Sequence, residues 1–424
     1  MLESILLEHN RSSGTKPLRI GVYTSPHIEF VRERIRIDGA PISEDDFAGA
    51  FFRLWDQVQA IDEGARPFLS FFTFMTLLMF RVFLDKGVDC AIVETGIGGR
   101  TDPTNILPHP HVTAITRLDL DHVSLLGHTI GEIAYHKGGI FKPLATALTM
   151  EQESEGISQL RACAEAANVA LKISKPLPKE HRALMGIPGD HQLANAGLAV
   201  DILEAWLQRN APGTEILKEK TLPAFIQAGL RRATWPGRSD LQLTKNVAYF
   251  IDGAHTSESM RCASMWYANS LPGKSYSRTA LIFNRTEENK HELLRVLYHT
   301  LRKLQDEADG PAFDLVIFCT NALTPQTRTT PDLMSLNPVL EPDTSQQDSL
   351  AKTWTALDSG RSEVRVVRSV AQAMELAGTS VAGLRRDSKS DAAGSERQHT
   401  ACLVTGSLKL VGPCLTILRG GVQV

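Results

Sequence analysis

The sequence predicts an α/β protein with two doubly wound domains, each a mostly parallel sheet covered by helices on both faces. Two observations support this fold class. Short apolar runs alternate with longer amphipathic segments, as in βαβ units. The alternation is interrupted once, and a second series of strand-like runs then begins. A chain of 424 residues is long enough for two such domains.

The first series begins with a helix, because Met1–His9 carries its apolar residues at helical spacing. A strand is predicted at Leu18–Tyr23. Charged and apolar residues alternate over Val31–Ile37, which predicts a half-buried strand. Its Arg32 and Arg34 fit a solvated edge as well as a ligand contact.

Three helices and two strands are predicted next. Ser43–Gln59 has a cap-like start and helical spacing. Phe68–Leu84 is a Phe-rich apolar helix that we expect to lie in the core. The apolar runs Val88–Val93 and Val112–Leu118 predict strands, and Ile130–Phe141 predicts a helix. This order indicates a mostly parallel sheet.

The periodicity is interrupted at Leu230–Arg238, where Arg, Trp, Pro and Gly occur together as in a linker. We therefore expect the first domain at residues 1–235 and the second, smaller domain at residues 236–424. The strands expected in the second domain are Val247–Ile251, Thr279–Phe283, Phe313–Cys319, Val364–Val367 and Cys402–Val404. Glu287–Leu304 is predicted as a helix between two of them.

Two stretches of the second domain, Ser335–Ser349 and Arg385–Gln398, are polar and weakly patterned, which predicts mobile surface loops. The net charge of −3 argues against broad binding to nucleic acid or to an anionic membrane. No apolar run reaches spanning length, so we expect no stable membrane insertion. The six cysteines form no Cys-x-x-Cys pair and predict reduced thiols in a reducing compartment.

The first candidate site residue is Glu94, which ends the apolar run Cys90–Val93. Ligands of open α/β sheets lie outside the carboxyl ends of the strands, so an acidic side chain at this position suits a metal or phosphate site. Gly96, Gly98 and Gly99 follow, where the chain can turn sharply or approach a ligand closely. A Glu at a strand end is also ordinary surface in many proteins.

Further polar side chains follow other predicted elements. His122 and Lys137 lie at or near the ends of a strand and a helix. Carboxylate oxygens suit Mg²⁺, and an imidazole is acceptable at a second divalent ion. Asp252–His255 ends the first strand of the second domain, where Gly and Ala permit close approach of a phosphate. The alternative to a metal and phosphate site is two Rossmann-like sheets whose strand ends are merely polar. A dehydrogenase is excluded, because the glycine fingerprint for dinucleotide binding is incomplete.

A larger set of motifs runs in one order across nearly the whole chain. They are Thr24–His27, Val31–Ile37, Val93–Gly99, Asp121–Gly127, His136–Lys142, His191–Ala196, Trp235–Arg238, Asp252–Thr256 and Thr405–Gly412. With these motifs the chain resembles the folylpolyglutamate synthases of the Mur-ligase superfamily, in their eukaryotic form. The resemblance implies a Mur-ligase-type ATPase domain followed by a Rossmann-like domain.

The resemblance also implies an activity: ATP phosphorylates the γ-carboxyl of a folate, and the amine of free L-glutamate attacks the acyl phosphate. The implied partners are folate, L-glutamate and ATP, with Mg²⁺ as cofactor and a monovalent cation left open. We expect a monomer in the cytoplasm, the mitochondrion or both. Metal ions and positioned cations would stabilise the charge on the transferred phosphoryl group.

Residue by residue, the resemblance implies that Glu94 holds one Mg²⁺ and His122 the second. Lys137 matches a lysine that is carbamylated in the family and forms the catalytic group with Glu94 and His122. The residues implied to bind ATP are Asn195, Arg238, Asp252 and His255. Ser25, Pro26 and His27 match a segment near the folate site.

The family has a Gly-Lys-Gly-Ser phosphate-binding turn ahead of the helix that matches Met1–His9, and the sequence as written lacks it. Three hypotheses follow. The first is a folylpolyglutamate-forming ligase whose N-terminal segment is missing from this sequence. The second is a catalytically impaired form, for which we expect negligible ligation. The third is the sister activity, dihydrofolate synthase, although Thr256 favours the polyglutamylating branch, since the sister branch usually has Asn there.

Overall fold

A computed structural model describes residues 1–14, 16–62, 69–210, 222–271, 276–305, 310–324, 343–379 and 399–420. The chain forms two compact units, Met1–Thr234 (unit 1) and Trp235–Val424 (unit 2). Both combine helices with β-sheets, which confirms the α/β fold class. Among the described residues, no helix is long and apolar enough to cross a membrane.

Unit 1 begins with a helix, as predicted. Its helices are α1 (Leu2–Ser12), α2 (Glu44–Gln59), α3 (Phe71–Lys86), α4 (Val123–Leu126), α5 (Ile130–Gly138), α6 (Ser154–Ala166), α7 (His191–Asn210) and α8 (Ala224–Arg232). Its strands are β1 (Ile20–Tyr23), β2 (Ile35–Ile37), β3 (Ala40–Pro41), β4 (Cys90–Val93), β5 (Val112–Ile115), β6 (Thr146–Met150) and β7 (Leu171–Ser174). Side-chain caps begin several helices, since the hydroxyls of Ser43 and Ser70 accept the backbone N–H groups of Asp46 and Thr73.

The described strands of unit 1 form two sheets. One has the order β3-β2-β1-β4, with β1 and β4 parallel, and the other is the parallel sheet β5-β6-β7. Helix α7 packs against both: Ala196 and Val200 contact the core of the first sheet, and Leu198 contacts that of the second. In this described part of the unit, no strand pairs with the outer edge of β4 or of β5.

The described strands of unit 2 form one continuous sheet. Its strands are β8 (Asp240–Leu243), β9 (Val247–Asp252), β10 (Tyr276–Phe283), β11 (Leu315–Cys319), β12 (Glu363–Val367) and β13 (His399–Thr405). Its helices are α9 (Ser257–Ser270), α10 (Lys290–Leu304), α11 (Ser345–Leu357), α12 (Val370–Gly378) and α13 (Leu408–Leu418). The strand order is β12-β11-β10-β13-β9-β8, parallel except for the pair β8 and β9.

The core of unit 2 explains why its strands are so apolar. Helices α9, α10 and α11 cover one face of the sheet, where Phe250, Phe283 and Phe318 pack against residues such as Trp354. Helices α12 and α13 contact each other and the same strands, and the hydroxyl of Tyr249 donates to the carbonyl of Met374 in α12. Because both faces are covered, all residues of β9 and β11 are buried.

Several local predictions were wrong. Val31–Ile37 is not one strand, because Val31–Arg34 forms a 3-10 turn and only Ile35–Ile37 is extended. The carboxylate of Glu33 accepts the backbone N–H groups of Ile28 and Phe30, which stabilises that turn. Phe71 does not lie in the core, since 59% of it is exposed.

Two boundaries also differ from the prediction. The linker predicted at Leu230–Arg238 begins after Arg232 in the structure, because α8 continues to that residue. The amphipathic face of α8 buries Leu230. The predicted loop Ser335–Ser349 lies outside the described residues up to position 342, and its last five residues begin α11. The predicted loop Arg385–Gln398 lies wholly outside the described residues.

Candidate active site

The end of β4 is the first part of the candidate site. The backbone N–H of Glu94 donates to the carbonyl of Tyr23 at 2.9 Å, which continues the pairing of β4 with β1. The side chain of Glu94 is exposed, and its Oε2 accepts the backbone N–H of Ser25 at 3.0 Å. The carboxylate is therefore oriented by the loop that follows β1.

The glycine-rich loop after Glu94 is organised by Asp102. One oxygen of this buried carboxylate accepts the backbone N–H groups of Gly96 and Ile97, both at 3.0 Å. The other oxygen accepts the backbone N–H and the hydroxyl of Thr104. A Cβ at Gly96 would lie 2.5 Å from the ring of Phe72, so a larger residue there would have to displace that ring.

The same loop is fixed against the C-terminal end of α5. The backbone N–H of Arg100 donates to the carbonyl of His136 at 2.8 Å, and the amide of Asn105 donates to the carbonyl of Gly139. A Cβ on Gly99 would lie 2.9 Å from the carbonyl of Lys137. The last turn of α5, with Lys137, is thereby held beside the loop that follows Glu94.

Lys137 is half-buried among carboxylates. Burial lowers the pKa of its amine from the ordinary value of 10.5, while Asp121 and Glu94 act in the opposite direction and raise it. Both carboxylates are therefore near enough to act on the charge of Lys137. The structure thus brings together two predicted residues, Glu94 and Lys137, with a third, Asp121, that the sequence analysis did not assign.

His122 lies beside this cluster. It precedes α4 with a left-handed backbone, φ 51°, and its Nε2 lies 3.7 Å from Oδ2 of Asp121. Its side chain is exposed. Within the described ranges, no group of three or more His, Cys, Asp or Glu side chains could by itself hold a metal ion.

The loop with Ser25, Pro26 and His27 lies next to Glu94 through the Ser25 hydrogen bond. The peptide bond between Ser25 and Pro26 is cis. Nδ1 of His27 accepts a hydrogen bond from Nε of Arg34 at 3.0 Å. The three residues therefore belong to the surroundings of Glu94.

Asn195 lies in the second turn of α7 in unit 1. Its amide donates to Oε1 of Gln192 at 2.8 Å, and Gln192 contacts the ring of His191 at 2.9 Å. These polar side chains follow a glycine with φ 124°, Gly189, where the chain turns into the helix. The start of α7 is therefore an ordered polar helix terminus.

The remaining predicted residues lie at the carboxyl end of β9 in unit 2. Oδ2 of the buried Asp252 accepts the backbone N–H of Ser239 at 2.8 Å, and Oδ1 lies 3.9 Å from Nη1 of Arg238. Nδ1 of His255 lies 3.0 Å from the carbonyl of Gly253. The structure brings Arg238, Asp252 and His255 together at one sheet edge.

Sequence reasoning missed two acids of unit 1. Asp102 carried a usable signal, because an Asp followed directly by Pro is a common helix start, and Asp102 does cap the 3-10 turn Pro103–Ile106. Asp121 precedes His122, but its approach to Lys137 depends on the packing of α5. That approach could not be predicted from spacing.

No protein-family model matches this chain. The chain is 34% identical over 423 residues to a probable folylpolyglutamate synthase of Schizosaccharomyces pombe, covering 98% of this chain and 80% of that protein. It is 35% identical to folylpolyglutamate synthase of Neurospora crassa, covering 99% and 78%, and 36% identical to that of Saccharomyces cerevisiae, covering 94% and 71%.

Solved structures share the fold. The chain is similar to Mycobacterium tuberculosis folylpolyglutamate synthase complexed with ADP and AMPPCP, with a TM-score of 0.72, 24% identity, and 98% of this chain and 88% of the other covered. It is similar to Escherichia coli FolC in complex with DHPP and ADP, with a TM-score of 0.68, 20% identity, and 99% and 86% covered. Because its identity to three curated relatives is 34 to 36% over most of their lengths, the chain belongs to the folylpolyglutamate synthase family.

Proposed function

We propose that this protein adds L-glutamate to the γ-carboxyl of folates and folate polyglutamates in an ATP-dependent reaction. The observation that carries the proposal is the cluster of Glu94, Asp121 and Lys137 in unit 1, where the Ser25 N–H holds Glu94 and the glycine-rich loop binds the turn of α5 that carries Lys137. The chain also belongs to the folylpolyglutamate synthase family. Unit 1 would bind ATP and folate. The enzyme would act as a monomer in the cytoplasm, the mitochondrion or both.

The reaction brings together two anions, ATP and the folate γ-carboxylate, with the neutral amine of glutamate. One oxygen of the folate γ-carboxylate attacks the γ-phosphorus of ATP, ADP leaves, and an acyl phosphate forms. The amine nitrogen of glutamate then attacks the acyl carbon, phosphate leaves, and the nitrogen loses a proton. Catalysis of such steps depends mainly on positioning and on the electrostatics of the site.

The residues of the cluster fit Mg²⁺. This ion is usually bound through one or two carboxylates, with waters and substrate phosphates completing its shell, so a ready-made group of three protein ligands is not required. Glu94, oriented by the Ser25 N–H, would hold one ion, and His122 beside Asp121 would hold the second. Bound Mg²⁺ would supply charge neutralisation for the phosphates.

Lys137 fits two roles in this site. Its lowered pKa favours the neutral amine that reacts with carbon dioxide to form a carbamate and a proton, the modification implied by the family resemblance. An unmodified ammonium would instead offset the charges of Glu94 and Asp121. In both forms, the hydrogen bond from the Arg100 N–H to the His136 carbonyl fixes the backbone from which this side chain extends.

The nucleotide and folate contacts are proposed separately for each unit. In unit 1, Asn195 at the start of α7 would contact ATP, and Ser25, Pro26 and His27 would contact the folate. In unit 2, Arg238 and His255 flank Asp252 at the carboxyl end of β9, where ligands of open α/β sheets bind. These three residues would contact ATP.

The test is a ligation assay with ATP, a reduced folate and L-glutamate. We expect ADP release that requires folate and glutamate, and a product heavier by one glutamyl residue. When the γ-carboxyl carries ¹⁸O, one labelled oxygen should appear in the released phosphate, as the acyl phosphate requires. A chelator should stop the reaction and added Mg²⁺ should restore it. ADP release without a heavier folate would contradict the proposal.

A further inference from the structure

The side chain of Arg34 is the one buried cation around the Ser25–His27 loop that the proposed reaction does not yet use, within the described residues. Arg34 ends the 3-10 turn Val31–Arg34 and is only 8% exposed. Its Nε donates to Nδ1 of His27 at 3.0 Å, which fixes the plane of the guanidinium. Its position is therefore set by the chain before any ligand binds.

The two terminal nitrogens of Arg34 have no hydrogen-bond acceptor in the described part of the chain, and no carboxylate there lies within 4.0 Å of them. A guanidinium keeps its proton in proteins, so burial cannot neutralise it. Buried charges are normally paired, because leaving one unpaired is costly. The fork of N–H groups on Arg34 is thus suited to an anion that the chain does not supply.

The neighbouring Arg32 shows the contrast. Its guanidinium donates to the carbonyl of Ile42, lies 3.9 Å from Glu44, and sits over the ring of Phe30 at 5.1 Å from its centroid. It already has acceptors within the chain. Two arginines separated by one residue therefore differ in whether their donors are used.

The surroundings of Arg34 indicate what kind of anion fits. Its guanidinium carbon lies 5.4 Å from the centroid of the exposed Phe71 ring, and Glu94 is close enough to act on its charge. The aromatic wall and the fixed cation therefore adjoin each other, and the Ser25–His27 loop, which contacts both Arg34 and Glu94, links them to the proposed metal-binding carboxylate. A molecule with an aromatic part and nearby carboxylates matches this spatial arrangement of groups.

We propose that Arg34 binds the α-carboxylate of the glutamyl residue whose γ-carboxyl is extended. The inference rests on the proposed function and adds a specificity-determining residue to it. The γ-carboxyl becomes an acyl phosphate during the reaction, whereas the α-carboxylate stays charged throughout. The permanently charged, planar guanidinium of Arg34 suits the α-carboxylate, because both carboxylate oxygens can accept parallel N–H bonds.

The test measures equilibrium binding by calorimetry, which needs no turnover. The ligands are a folate with one glutamate and the same folate with its α-carboxylate replaced by a carboxamide. Wild type should bind the carboxamide about 10- to 100-fold more weakly, the range expected for a charged hydrogen bond. Arg34→Gln should bind both ligands equally and as weakly as wild type binds the carboxamide. Arg34→Lys should recover part of the discrimination, and Arg32→Gln should keep all of it.

The outcomes separate this inference from the proposed function. If wild type binds neither folate, the proposed function fails and this inference fails with it. If wild type binds both ligands equally, or if Arg34→Gln still discriminates between them, Arg34 does not bind the α-carboxylate although the ligase proposal stands. The wild-type comparison does not depend on the folding of any variant, and thermal unfolding of Arg34→Gln checks that its fold is intact.

Discussion

Both units place acidic side chains after a parallel strand, but they surround them differently. In unit 2, Asp252 ends a fully buried strand and is held by the Ser239 N–H beside Arg238. In unit 1, Glu94 is exposed, follows the partly buried β4, and acts together with Asp121 on the charge of Lys137. The comparison indicates that the acid of unit 2 is fixed in a buried network, whereas the acid of unit 1 stays open to solvent.

The pKa shifts of the two units have different meanings for the same reason. In unit 2, burial raises the pKa of the Cys319 thiol to about 12 and raises the pKa of Tyr249, both inside the continuous sheet. These shifts report core packing. In unit 1, burial lowers the pKa of Lys137 at the end of a helix, against the opposing charges of Asp121 and Glu94. A shift of this kind is typical of a functional site.

The largest effect that sharpens this comparison should come from the core of unit 2. Trp354 is fully buried, packs on Tyr298 and Phe313, and donates to the hydroxyl of Ser362. Trp354→Ala should lower the free energy of unfolding by about 3 to 5 kcal/mol, as measured by urea denaturation. Trp55→Ala, at a Trp that is 46% exposed on α2, is the control and should cost about 1 kcal/mol or less. Equal costs would contradict the burial described for the two residues.

A smaller effect is expected from the acid that organises the glycine-rich loop of unit 1. Asp102→Ala leaves the N–H groups of Gly96, Ile97 and Thr104 without their acceptor. It should destabilise unit 1 by about 2 to 4 kcal/mol in the same denaturation experiment. Asp85→Ala, which removes surface ion pairs with Arg53 and Arg81, is the control and should change stability by about 1 kcal/mol or less.

Helix caps should give still smaller effects. Ser43 caps α2 at an exposed position, and Ser369 caps α12 at a fully buried one. Ser43→Ala should cost about 1 kcal/mol, and Ser369→Ala about 2 kcal/mol, because the freed N–H of Gln372 is then less accessible to water. Thermal unfolding of the two variants gives the order, and the reverse order would count against this account.

The smallest effect concerns the pKa of Lys137 itself. Competitive labelling of lysines over a pH series should give a pKa below 10.5 for this residue. Glu94→Gln should lower it further, because the carboxylate favours the charged ammonium. Asp89→Asn, at the beginning of β4 and not among the charges that act on Lys137, should leave it unchanged. An unchanged or raised pKa of Lys137 in Glu94→Gln would show that the charge of Glu94 does not act on this lysine.

Much of the fold could be predicted from the sequence, because long apolar runs have few alternatives. The strands around Val247 and Leu315 and the helix around Leu297 follow from periodicity. Val31–Ile37 misled the prediction because its alternation also fits a 3-10 turn held by the Glu33 carboxylate. The apolar pattern wrongly placed Phe71 in the core, since the exposure of a single residue depends on tertiary packing.

The candidate site was only partly predictable for a similar physical reason. Glu94 could be found because it directly ends an apolar run, and Lys137 through its motif. The approach of Asp121 to Lys137 depends on the packing of α5. The hydrogen bonds of Asp102 and Arg34 are local, but they depend on loop conformations that no periodic pattern describes. Spacing along the chain does not encode such contacts.

The most direct measurement of the central claim is the rate of ATP-dependent glutamate addition by Glu94→Gln, compared with wild type and with Asp89→Asn. The carboxylate of Glu94 is oriented by Ser25 and shares Lys137 with Asp121. If the cluster performs the chemistry, Glu94→Gln should lower kcat about 10²- to 10⁴-fold, while Asp89→Asn keeps the wild-type rate. A near-wild-type rate for Glu94→Gln, with ligation intact, would contradict the account.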